Sequence, residues 1–173
     1  MPRYWVIAPF ESKPRKPFDR VWQFDLANNL ISIGWSQLGD VSKMTKEDIF
    51  KAVASAYPGR AKGLIRNMLW AFYNEMGPGD FVIARRGQKI LAAVGRVTKS
   101  AVYAPGKNPA APHLNFLEVD WQEQPRDKVF FRLVFLQQTL TEISEDRYRE
   151  LVEDSVLSDV IDISEPTEAI DRS

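Results

Sequence analysis

The stretch that most constrains this chain is Asn28-Asn29-Leu30-Ile31-Ser32-Ile33-Gly34-Trp35-Ser36-Gln37-Leu38-Gly39-Asp40. Leu30, Ile31 and Ile33 form a short apolar, β-branched run, the pattern of a buried strand. Gly34 and Gly39 then bracket Trp35, and glycine allows both a close backbone approach and conformations closed to other residues. A large aromatic therefore stands where the chain leaves a sheet. It can be one more core side chain or the wall of a binding pocket, and its polar and glycine neighbours favour the pocket.

Around this strand the chain reads as a mixture of strands and helices. Residues 3–8 form an aromatic and β-branched first strand that ends at Pro9. Residues 10–17 are broken by proline and are expected to be a basic loop, with Lys13, Arg15 and Lys16 available to phosphate or simply solvated. A short helix is expected over 18–28, with Val21, Trp22 and Leu26 at helical spacing. Thr45 followed by Asp48 predicts a capped helix over 46–57, stopped by Pro58-Gly59. A second helix over 61–76 carries Leu64, Met68, Leu69, Phe72 and Met76 as its apolar stripe.

Gly77-Pro78-Gly79-Asp80 is a turn into a strand at 81–84, and Gly87 marks a hairpin whose tip gathers Arg85, Arg86 and Lys89. Three cations there are either protection of a sheet edge or a clamp on phosphates. Residues 104–113 read as a mobile proline-rich loop. Strands follow at 116–121 and 129–134, and then a helix over 144–152 that starts at Ser144. The domain is expected to span 1–154, with 155–173 as an acidic tail or linker.

The 173 residues carry no cysteine and a single histidine, His113. Disulfides and thiol chemistry are thereby excluded, and little is left for a metal site or a Ser/His/Asp triad. No cofactor and no metal is expected. The formal charge is zero but segregated: residues 1–110 hold 17 Lys/Arg against 8 Asp/Glu, and residues 111–173 hold 6 against 15. Such asymmetry suggests a body that binds a polyanion, unless folding mixes the two halves over one surface. Without an 18-residue apolar run or a signal-peptide layout, the expected location is the cytoplasm, with no membrane partner.

Catalysis finds little support. Asp40, Asp80, Glu118 and Asp120 are scattered over turns and strand ends, and Gly106-Lys107 lacks the spacing of a phosphate loop. Asp80 and Lys89 have two elements of a restriction-nuclease site, but Gln88 stands where its middle acid would be. Five Trp, five Tyr and ten Phe, several at strand ends, suit a stacking pocket better. Stacking on an aromatic is worth about 1–3 kcal/mol per base, comparable to the few kcal/mol needed to extrude a base from a duplex.

The order Tyr-Trp-Val-Ile-Ala-Pro, Val-Trp-Gln-Phe, Ile-Ser-Ile-Gly-Trp-Ser-Gln-Leu-Gly-Asp, Pro-Gly-Asp-Phe-Val-Ile-Ala, Ala-Val-Gly-Arg-Val-Thr and Val-Asp-Trp resembles an EVE domain. That family is PUA-like and a sister of the YTH readers of N6-methyladenine. The resemblance runs over residues 3–150 and is greatest to the N-terminal domain of McrB-type, modification-dependent restriction proteins. It implies an α+β fold, a small curved β-barrel with flanking helices. The implied function is that of a non-catalytic reader that flips a modified, methylated base of DNA into an aromatic cage, beside a GTPase or nuclease partner. Carried over by position, Trp22, Trp35 and Tyr103 would wall the cage. Ser32 and Asp40 would meet the base edge, and Arg85, Arg86 and Lys89 would hold phosphates. An RNA-modification reader and a protein-interaction domain without a base pocket are the alternatives.

Overall fold

Strand β1, Tyr4–Ile7, turns alternate side chains to opposite faces of its sheet, so Trp5 and Ile7 enter one apolar core and Val6 another. Strand β3, Phe81–Arg86, behaves likewise: Val82 and Ala84 join Trp5, whereas Ile83 joins Val6. Strands buried on both faces read as continuous apolar runs rather than as alternation, which explains Phe-Val-Ile-Ala and Ile-Leu-Ala-Ala-Val. The structure, a computed structural model, describes residues 1–153. The acidic segment expected at 155–173 lies outside the described residues.

Helix α1, Arg15–Ala27, is followed by β2, Leu30–Ile33, and a 3₁₀ turn at Ser36–Leu38. Helices α2, Lys46–Ala56, and α3, Lys62–Asn74, lead into β3. Then come β4, Ile90–Val97; β5, Val102–Tyr103; β6, Asn115–Val129; β7, Leu140–Ile143; and α4, Glu145–Val152. The strands form one sheet in the order β2-β6-β4-β3-β1-β7, with β5 also on β6. β1 and β3 run parallel; the other pairs are antiparallel. Over the described residues the fold is thus mixed α+β, a strongly curled half-barrel with four helices.

The curl has local causes. The register shifts between Ala84 and Arg85 in the β3–β4 pair, and between Ala93 and Gly95 in the β4–β6 pair. Such irregularities bend a strand and increase its twist. Gly95 is obligatory at the second of them, because a Cβ there would lie 2.6 Å from Val119 Cγ1 and 2.7 Å from the Asp120 carbonyl oxygen.

Several sequence expectations are met. β2 lies where predicted and all four of its residues are buried, although it is the edge of the strand order rather than its centre. Thr45 Oγ1 accepts from the Asp48 N–H at 3.1 Å, and Ser144 Oγ caps α4 through the Arg147 N–H. Others are corrected. α1 starts at Arg15, inside the predicted proline-broken loop, because Pro17 falls in the first turn, where a missing N–H costs nothing. In α3 the buried stripe is Ile65, Met68, Leu69 and Phe72, and Leu64 lies outside it. The two strands expected near 116–121 and 129–134 are one long β6 followed by irregular chain, and β7 has no counterpart among the expected strands.

The 104–113 loop is also more constrained than its composition implies. Asn108 is fully buried and donates to the Val21 carbonyl oxygen at 3.1 Å and to Asp25 Oδ1 at 2.9 Å, pinning the loop to α1.

Candidate functional site

Leaving β2, the chain must turn sharply, and it does so at Trp35 with φ +63° and ψ 42°. A left-handed backbone is rare for a bulky residue and costs on the order of 1–3 kcal/mol. The surroundings hold it. Gly34 O accepts from Asn115 Nδ2 at 2.8 Å, and Asn115 Oδ1 accepts from the Tyr73 hydroxyl. The Gln37 N–H donates to the Tyr57 hydroxyl at 3.3 Å, tying the turn to the end of α2.

Trp35 thereby lines a cleft of about 580 Å³, within the size range of small-molecule sites. Its walls come from segments far apart in the chain. Phe10, Ser12 and Lys13 follow β1; Tyr57 and Arg60 lie between α2 and α3; Arg85 comes from β3; His113 precedes β6; Gln137 and Thr139 precede β7. Phe10 and His113 are in ring contact, centroids 5.3 Å apart.

The cleft is polar in specific places. Ser32 Oγ and His113 Nδ1 share a 2.8 Å hydrogen bond, and desolvation pushes the imidazole down to about 4, so the ring is neutral at pH 7. Arg85 Nη1 donates to Gly87 O at 2.7 Å and Nη2 to Gln138 O at 2.9 Å. Burial without a carboxylate lowers this guanidinium to about 10, still protonated at neutral pH. Ser12 Oγ and Arg85 Nε are buried without a hydrogen-bond partner in the protein. Buried polar atoms are normally satisfied, so two orphans in one cleft wall suit a site completed by something else.

Of the residues expected at the site, Trp35 and Arg85 line the cleft directly. Ser32 is fully buried behind it and sets His113. Trp22 does not line it: only 6% exposed, it packs edge-on against Trp121 with centroids 5.1 Å apart. Tyr103 sits on β5, away from the lining. Asp40 closes its own turn, with Oδ1 accepting from the Ser42 N–H at 2.9 Å and the Ser42 hydroxyl at 2.6 Å. These bonds hold its carboxyl below the usual carboxylate range.

The basic hairpin tip is corrected as well. Arg85 and Arg86 are buried, the first on backbone carbonyls and the second with its guanidinium 6.0 Å from the Phe18 ring centroid. Lys89 occupies the turn and does not line the cleft. The cations that do line it, besides Arg85, are Lys13 and Arg60. Phe10, Tyr57, Arg60 and His113 escaped sequence reasoning because no local pattern joins them. The position of Tyr57, immediately before Pro58-Gly59, marked only a helix end.

Among the described residues no group of three His, Asp or Glu could hold a metal ion, and no helix is long and apolar enough to cross a membrane. None of the curated proteins matches the chain. A family described as a domain of unknown function (DUF8426) matches residues 12–144, a span that includes most of the cleft, from Ser12 to Thr139. The match covers well over half of the chain, and the protein belongs to this family.

Proposed function

We propose that the protein is a reader of modified nucleic acid, and that the cleft receives one modified base extruded from DNA. The observation that carries the reading is Trp35. A strained backbone holds its indole in the wall of a cleft of about 580 Å³, large enough to admit a base, in company with Phe10, Tyr57 and His113. Backbone strain that the surroundings must enforce clusters at ligand sites, and stacking on aromatics is how extruded bases are held. Lys13 and Arg60 line the same cleft and can meet the flanking phosphates.

The curled sheet with its flanking helices supports the finer reading of a PUA-like barrel of the EVE kind. On that reading the protein is a non-catalytic specificity module of a modification-dependent restriction system, acting beside a GTPase or nuclease. The cage differs from the sequence expectation, since Phe10 and Tyr57 replace Trp22 and Tyr103 as companions of Trp35. A binding panel of duplexes carrying unmodified bases, N6-methyladenine, 5-methylcytosine or 5-hydroxymethylcytosine tests it. The expected result is tighter binding to one modified duplex than to its unmodified counterpart. Equal binding across the panel would sink the reading.

A further inference from the structure

The irregular chain between β6 and β7 has an unusual surface. Phe131, Leu133 and Leu136, which fall within six residues of one another, are 58%, 58% and 60% exposed, and apolar surface concentrated in one short segment marks an interaction site. Their backbone is nevertheless firmly held. The Val134 and Phe135 N–H groups donate to Gln88 O at 2.9 and 3.2 Å, and Gln88 Nε2 donates to Phe135 O at 3.0 Å. Arg147 Nη2 donates to Val134 O at 3.1 Å, and Arg85 Nη2 to Gln138 O at 2.9 Å. Phe130 and Phe135 anchor the segment from below, both buried in the second core. A pinned loop thus presents these apolar side chains to solvent.

This loop adjoins the cleft. Gln137, next in sequence to Leu136, lines the cleft, as does Thr139. An extruded base leaves a gap in the duplex, and apolar side chains inserted between base steps are a known means of opening and filling such steps. We propose that Leu136, with Leu133 and Phe131 exposed on the same loop, is the wedge that enters the base stack at the position vacated by the base held in the cleft. The inference rests on the base-reading function proposed above and adds to it a second contact surface, whose partner is the interior of the duplex.

A wedge stabilises the opened duplex, so it matters only where unstacking must be driven. The full chain and its Leu136→Ala variant are measured on duplexes carrying one 5-methylcytosine, 5-hydroxymethylcytosine or N6-methyladenine. Each duplex is built fully paired and again with an abasic site opposite the modified base. Leu136→Ala should weaken binding to the fully paired, preferred duplex by about tenfold or more, and clearly less on the abasic counterpart, where pairing no longer opposes extrusion. Leu133→Ala should show the same pattern more weakly. Because Leu136 is exposed, an unchanged melting temperature should accompany the loss. Equal losses on both duplexes would make Leu136 an ordinary contact and overturn the wedge. No loss on either would assign the patch to a protein partner and overturn it too. If the wild-type chain prefers no modified duplex, the base-reading function itself fails, a result separate from any effect of Leu136.

Discussion

Two tryptophans separate packing from recognition at the scale of single residues. Trp22 is 6% exposed and buried against Trp121, so Trp22→Ala should cost about 3–5 kcal/mol of stability, as large-to-small core changes do. Trp35 is half-buried at the cleft, so Trp35→Ala should leave a folded protein that has lost about 1–3 kcal/mol of binding to modified DNA together with its selectivity. Chemical unfolding and oligonucleotide titration on the same two proteins check both statements. The reverse pattern would exchange the roles of the two residues. Asp80 shows the opposite case, a polar residue with a structural task. Its Oδ1 accepts from the Arg3 N–H at 3.0 Å, and its Oδ2 accepts from Trp5 Nε1 at 3.0 Å and the Gly77 N–H at 3.1 Å. The acid of the Pro-Gly-Asp turn thus ties β1 to the start of β3 and is not a free catalytic carboxylate.

At the scale of elements, the link between α1 and the 104–113 loop couples stability to pH. Asp25 is fully buried, with Oδ1 on Asn108 and Oδ2 without a partner, and desolvation pushes its carboxyl up to about 7. The unfolded chain releases this proton near the ordinary value of 3.8, so between there and about 7 the folded state binds more protons. Stability from this group is therefore lost as pH rises through that interval. His113, at the end of the same loop, has the opposite sign. Its folded value near 4 lies below the ordinary 6.5, so the unfolded state binds more protons between the two and stability is lost as pH falls. The two slopes oppose each other. Relative to wild type, Asp25→Asn should make stability rise more steeply from about pH 4 to 7, and His113→Gln should make it fall over much of that range. Denaturation midpoints across this range read the slopes directly, and parallel curves for all three proteins would refute the coupling.

At the scale of the whole molecule, charge follows the fold rather than the chain order. Arg85 and Arg86, counted in the basic half, are buried, and Lys128 from the acidic half is buried too, donating to the Leu151 and Glu153 carbonyl oxygens at 3.0 Å each. Arg3 pairs with Glu142 at 2.7 Å, across nearly the whole described length. The sequence halves are consequently not spatial halves. Lys13 and Arg60, distant in sequence, meet at one cleft. If they neutralise phosphates, Lys13→Ala and Arg60→Ala should each make the log–log dependence of duplex affinity on salt shallower by about 0.9, the slope that one neutralised phosphate carries. Lys89→Ala should leave it unchanged. Titrations over a range of salt check this, and equal slopes in all variants would leave both residues as ordinary surface charges.

What the sequence determined by itself are the features that a few neighbouring residues settle. The apolar run at 30–33 forms β2, Thr45 and Ser144 cap their helices, Gly87 opens the hairpin turn, and the glycine-flanked Trp35 lines the cleft. Periodicity, capping and turn chemistry act over a few residues and can be read there. Only the tertiary structure decided which side chains converge. Pairing β2 with one end of the long β6, and β1 with both β3 and β7, brings residues 10, 35, 57, 85 and 113 together. The same packing takes Trp22 into the core and ties Arg85 to backbone carbonyls. Burial and desolvation depend on what lies across the sheet, and no local pattern carries that information.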